Sequence, residues 1–233
     1  MSTRFKMFDD FLALFYPNLC LACDQRIPPS NDVICIPCQY HLPKTKFHLE
    51  RENPFTEHFW GRVQIDAGAS FYHFTKGGRT QHLIHKLKYQ GKVQVGIKLG
   101  QRYGRTLKES PFFQNVELII PVPLHSRREK ERGYNQSALF AQGLSYSMEI
   151  PWNKDILIRS VGTTTQTKKT RLERFENVST AFQVKKPKAI RGKHILLVDD
   201  VMTTGATLEA CAITLLEVED VKISLATIAF ANM

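Results

Sequence analysis

Two carboxylates in succession, Asp199 and Asp200, follow the apolar run at 195–198 and precede Thr203, Thr204, Gly205, Ala206 and Thr207. Four apolar residues of that kind bury a central strand, and open α/β sheets take their ligands at the carboxyl ends of strands. The small hydroxylated residues that follow open a helix whose first N–H groups lack partners of their own. With Gly205 allowing close approach and three threonine hydroxyls at hand, those N–H groups form a cradle for a phosphate dianion. Carboxylates cannot face that phosphate, so Asp199 and Asp200 suit the hydroxyls of an attached sugar. A ribose 5-phosphate fits both halves. The same two aspartates are the candidate catalytic groups, since a carboxylate beside the anomeric carbon stabilises positive charge developing there.

A second cluster lies upstream. The strand predicted at 116–122 ends in Pro121-Val122-Pro123, and Arg127, Arg128, Lys130 and Arg132 follow around only two acids. That placement delivers guanidinium groups to the sheet edge that holds the aspartates, and guanidinium forks match the oxygens of a pyrophosphate. Arg127, Arg128 and Arg132 are therefore the candidate pyrophosphate ligands.

Four of the five cysteines form two C-x-x-C knuckles, Cys20 with Cys23 and Cys35 with Cys38. Four thiolates facing one centre make the closed tetrahedral shell of a structural zinc, with no open position for catalysis. Two disulfides and an iron–sulfur site are the alternatives; the lack of a recognisable export signal argues for a reducing compartment, where such thiols bind metal. Cys211, in an apolar helical pattern, reads as a buried structural cysteine.

The net charge of +10 is concentrated. Residues 71–110 hold nine lysines and arginines against Glu109 alone, eight of the ten surplus charges. A charge-driven partner such as single-stranded DNA should dock there, with Lys88, Lys98, Arg102 and Arg105 as its contacts. Lys98, Arg102 and Arg105 share one helical edge, and Tyr89 and Tyr103 are at hand to stack on bases.

These groups need a frame. Strands are predicted within 63–74 and at 116–122, 156–159, 181–184, 195–198 and 222–230, with helices at 79–89, 94–108, 135–148 and 204–218. Buried strands alternating with helices argue for right-handed crossovers and a mainly parallel α/β sheet. Gly96, Gly100 and Gly104 repeat every fourth residue in one helix, a costly choice unless another backbone comes close. Phe5, Phe8, Leu12 and Phe15 have the spacing of a short amphipathic helix. The expected organisation is a helix and zinc module over 1–45, a linker over 46–60 and the sheet domain over 61–233. No apolar run is long enough to span a bilayer, so no membrane insertion is expected. Neither a Walker A loop nor a G-x-G-x-x-G turn occurs, which removes the two commonest nucleotide-binding readings.

The stretch 195–207 resembles the signature of type I phosphoribosyltransferases that binds phosphoribosyl pyrophosphate (PRPP). The order of motifs is similar to that of the ComF family of competence-associated proteins. It runs from the cysteine knuckles through Leu83-Ile84-His85-Lys86-Leu87-Lys88-Tyr89, the Pro121 to Gln136 segment and the paired aspartates. Thr165, Gln166 and residues 171–178 match the family's mobile loop, although 162–169 is more polar than usual there. The resemblance implies a phosphoribosyltransferase fold, PRPP bound with Mg²⁺, and a cytoplasmic role handling incoming single-stranded DNA in natural transformation, beside competence helicase and DNA-processing proteins. The alternative is an active transferase that moves ribose 5-phosphate from PRPP to a nitrogenous base in nucleotide salvage.

Overall fold

The computed structural model describes residues 17–28, 32–159 and 181–231. The expected helix on Phe5, Phe8, Leu12 and Phe15 and the loop at 162–178 lie outside the described residues. The strands are β1 (Ala67–His73), β2 (Leu118–Pro121), β3 (Leu157–Arg159), β4 (Phe182–Val184), β5 (His194–Met202) and β6 (Lys222–Phe230). Four of them form one all-parallel sheet in the order β1-β6-β5-β2, while β3 and β4 make a separate antiparallel pair. The helices are α1 (Ile36–His41), α2 (Pro54–Glu57), α3 (Arg79–Tyr89), α4 (Gln94–Glu109), α5 (Ser126–Arg132), α6 (Gln136–Met148) and α7 (Ala206–Leu216).

The apolar run that predicts β5 is buried on both faces, as a central parallel strand must be. Leu196 and Val198 join Leu87, Leu99, Phe140 and Leu144 from α3, α4 and α6 on one side. Ile195 and Leu197 join Leu208, Cys211 and Leu215 from α7 on the other. The glycine repeat in α4 meets α6 backbone to backbone. A Cβ on Gly100 would stand 2.4 Å from the Phe140 carbonyl oxygen, and one on Gly143 2.1 Å from that of Ile97. Only hydrogen fits at this crossing, so the seam read from the sequence is a close helix contact.

The segment expected to be a linker over 46–60 is instead built into the core. Asn53 caps α2 by accepting from the Phe55 and Thr56 N–H groups, and its amide donates to the Gly68 carbonyl of β1 at 3.0 Å. Phe55 and Phe59 are buried against Phe230 and Met202. Asn and Pro, which look like linker residues, are here the N-cap and first residue of a helix.

The cysteine-bearing segment is likewise no satellite. Cys20, Ile34 and Cys38 share one apolar cluster with Leu83, Leu87 and Tyr103. Asp24 pairs with Lys86 and lies 3.2 Å from His82, both on α3, and Asp32 pairs with Arg102 on α4. Helices α1, α2 and α5 are too short to show a helical apolar period, and the sequence gives no clear signal for them.

Candidate functional site

The carboxyl ends of β2 and β5 open into a cleft of about 600 Å³. Asp199 and Asp200 both line it, from opposite faces of β5. Asp199 accepts a hydrogen bond from Ser137 Oγ at 2.7 Å and from the Asp200 N–H at 2.8 Å. Burial and the neighbouring Asp200 charge push the Asp199 carboxyl up to about 7, against the downward pull of Ser137, the Asp200 N–H and Lys88. Asp200 is 8% exposed, and its Oδ2 lies 2.9 Å from Lys88 Nζ.

The loop after β5 turns where the sequence requires. Gly205 has φ +76°, a left-handed conformation that glycine adopts without penalty, and it caps α7. A Cβ there would also come within 3.2 Å of the Phe59 ring. Thr203, Thr204, Ala206 and Thr207 are exposed around the open end of α7, and Thr207 faces the cleft. The Thr204 carbonyl accepts from Arg62 at 3.4 Å, and Arg62 also pairs with the buried Glu209 in the first turn of α7. Arg62 thus ties the loop before α7 to that helix and neutralises the acid in its first turn.

The arginines divide. Arg128 and Arg132 line the cleft, whereas Arg127 is 83% exposed, pairs with Glu131 at 2.9 Å and is absent from the lining. The i,i+4 spacing within α5 takes it away. Lys88 and Arg159 stand in the lining instead. Asn135 anchors this wall, donating to the Val122 carbonyl at 2.9 Å and capping α6 through the Ser137 N–H at 3.0 Å.

The expected DNA contacts do not form one open edge. Lys88 is committed to Asp200, and Arg102 to Asp32 of the cysteine segment. Lys98 is half-buried in the groove beneath that segment, so Arg105 alone of the four is exposed. Tyr103 is fully buried and stacked on Phe71 with ring centroids 4.6 Å apart, which removes it as a base platform. The helical period that places Tyr103 beside the basic residues is the period of a core face.

Cys20, Cys23, Cys35 and Cys38 converge, with all four sulfurs within 4.8 Å of one another. The Cys23 and Cys35 sulfurs are 3.8 Å apart. A tetrahedral ion with metal–sulfur bonds of about 2.3 Å spaces its ligands by about 3.8 Å, whereas a disulfide needs about 2.05 Å. Cys20 Sγ accepts N–H groups from Ala22 at 3.4 Å and Cys35 at 3.3 Å. Burial pushes the Cys20 thiol up, but these N–H groups and that of Cys23 draw it down further, to about 7. The donor set fits a closed metal site. Cys211 is buried in α7, as its pattern predicts.

A phosphoribosyl transferase domain model matches residues 135–232, which hold the acid pair, the loop at 203–207 and Ser137. The chain is 34% identical over 214 residues to the DNA utilization protein YhgH of Escherichia coli O157:H7, covering 88% of this chain and 87% of that one. It is 34% identical over 130 residues to competence protein F of Haemophilus influenzae, covering 54% of this chain and 57% of the relative. To competence protein ComFC of Bacillus subtilis it is 39% identical over 144 residues, covering 62% of this chain and 56% of the relative. Similarity at 34% identity over 88% of the chain, together with the two competence proteins, makes this chain a member of the ComF family.

Proposed function

We propose that the protein binds PRPP with Mg²⁺ in the strand-end cleft and handles incoming single-stranded DNA in the cytoplasm during DNA uptake, alongside competence helicase and DNA-processing proteins. The observation that carries the PRPP reading is the convergence in one cleft of an acid pair, cations from three elements and Thr207 in the first turn of α7. Asp199 and Asp200 accept the ribose hydroxyls, the loop 203–207 holds the 5′-phosphate, and Arg128, Arg132 and Lys88 face the pyrophosphate. Mg²⁺ supplies charge neutralisation of the pyrophosphate, and Asp199 and Asp200 are the oxygen donors at hand for it. The DNA role rests on the names of the relatives and on the positive surplus.

Zinc in the four-cysteine site is architectural in this reading. Four protein ligands leave no position for a substrate.

A second reading, phosphoribosyl transfer, is favoured by the placement of Asp199. In that reaction the bond from the anomeric carbon to pyrophosphate breaks, a bond to an acceptor nitrogen forms, and the acceptor's proton leaves. Asp199 and Asp200 together line the cleft and stabilise positive charge developing on the ribose, and the acceptor's proton passes to solvent.

Calorimetry with PRPP and Mg²⁺ tests the shared core of both readings. Binding should be weakened by Asp200→Ala, which removes a hydroxyl acceptor, and by Gly205→Val, which the left-handed turn and the Phe59 ring both oppose. Equal affinity in all three proteins would put the ligand elsewhere. Pyrophosphate release on addition of nucleobases separates a transferase from a PRPP-binding protein.

A further inference from the structure

The described residues expose four large aromatics with rings more than half open to solvent: Tyr40, Trp60, Tyr89 and Tyr146. Only Tyr89 lines the cleft that holds Asp199 and Asp200. It is the last residue of α3 and 65% exposed, so its ring contributes little to the core. Two groups hold it where it is. The Arg132 guanidinium carbon sits over the ring at 5.2 Å from its centroid, and the His85 ring lies one helical turn back at 5.0 Å.

The adjacent residue fixes the orientation of the helix end. Lys88 reaches into the cleft to Asp200, and Tyr134 donates its hydroxyl to the Leu87 carbonyl. Successive helical side chains point about 100° apart, so anchoring residues 87 and 88 leaves Tyr89 on the rim. A rigid aromatic face, a cation that supports it and a phosphate-binding cleft next to it match the chemistry of an unpaired nucleotide: a base to stack and a backbone charge to meet.

We propose that Tyr89, with Arg132 and His85 beside it, is a stacking seat for one unpaired nucleobase at the rim of the PRPP cleft. A single strand then meets this protein at the cleft and not along the α4 edge, where Arg102 is already paired and Tyr103 is buried. The inference rests on the nucleic-acid reading given above and deepens it. The base can come from a DNA strand or from a free nucleobase beside PRPP, and the two sources are separable.

The test measures fluorescence anisotropy of a labelled oligo-dT and of an abasic oligomer of equal length, on the full chain and on Tyr89→Ala and Tyr89→Phe. One base–aromatic stack corresponds to roughly 5- to 150-fold in affinity. Tyr89→Ala should lose that much for oligo-dT, keep wild-type affinity for the abasic strand, and leave the slope of log affinity against log salt unchanged. Tyr89→Phe should bind oligo-dT within about twofold of wild type, because the ring is retained. Wild-type oligo-dT affinity in Tyr89→Ala, or an equal loss for the abasic strand, overturns the seat. If the wild-type protein binds no oligo-dT at low salt, the DNA-handling reading fails by itself. The seat is then upheld by Tyr89-dependent binding of free nucleobases in the presence of PRPP, and overturned if none bind.

Discussion

Lys88 Nζ and Asp200 Oδ2 stand 2.9 Å apart, so the acid on the strand is bound to a cation delivered by α3. The pair is largely shielded, with side-chain exposures of 23% and 11%. Lys88→Met would leave the largely buried Asp200 with an uncompensated charge. We expect a loss of about 1–3 kcal/mol in stability, read from the urea midpoint, and roughly tenfold weaker PRPP binding by calorimetry. Unchanged values for both would mean that the pair is dispensable.

Asp199 sets a pH dependence. Its folded carboxyl lies at about 7 against 3.8 without the protein around it, so the folded chain holds the proton more tightly than the unfolded chain. The associated stability is fully present below about pH 4 and is lost as pH climbs through 7. Asp199→Asn should therefore melt higher than wild type at pH 8 and show a smaller change between pH 5 and 8, while binding PRPP poorly. Parallel melting curves for the two proteins across that range would contradict the assignment.

Arg62 and Glu209 form a cycle that can be measured. Removing Arg62 leaves Glu209 buried and charged in the first turn of α7, beside the loop at 203–205. Arg62→Ala should cost about 2–3 kcal/mol and weaken PRPP binding, and adding Glu209→Gln should recover part of both. Strict additivity in denaturant midpoints would show the two residues to be uncoupled.

Metal removal should be felt by the whole chain. Cys20 and Cys38 lie in the same apolar cluster as Leu83 and Leu87, and the Asp24 and Asp32 pairs fasten the knuckles to α3 and α4. Cys35→Ser, or stripping by a chelator, should lower a single cooperative transition and weaken PRPP binding through α3, which carries Lys86 toward the cysteine segment and Lys88 toward the cleft. A sheet domain that melts unchanged would restore the picture of an independent module.

Much of this was legible from residue types. The bounds of α3 and β6 coincide with the apolar periods, and the strand-end acids sit where an open parallel sheet puts its ligands. What escaped the sequence is how neighbours pair. Lys88 looks like one more member of a basic run until the fold brings Asp200 to it. Arg102 and Tyr103 are adjacent on a helix whose Leu99, Tyr103 and Leu107 read as inward, but the pattern does not show that Arg102 meets Asp32 or that Tyr103 stacks on Phe71. Asn53 and Pro54 look like chain breakers because the Gly68 carbonyl that receives the Asn53 amide comes from β1, and local pattern cannot reveal it.

The sheet order has a consequence for how the chain is made. β6 lies between β1 and β5, and Ser70 meets Thr227 across a separation of 157 residues. On a ribosome, β1 and β5 both emerge before the strand that joins them, so each waits with an unsatisfied edge and the core on either side stays open. Long-range parallel pairing of this kind is slow and exposes edges that can pair wrongly. Completion of the cleft is therefore timed by the arrival of residues 222–230, and a nascent chain stalled before them would present Asp199 and Asp200 on a strand paired on one side only, to β2.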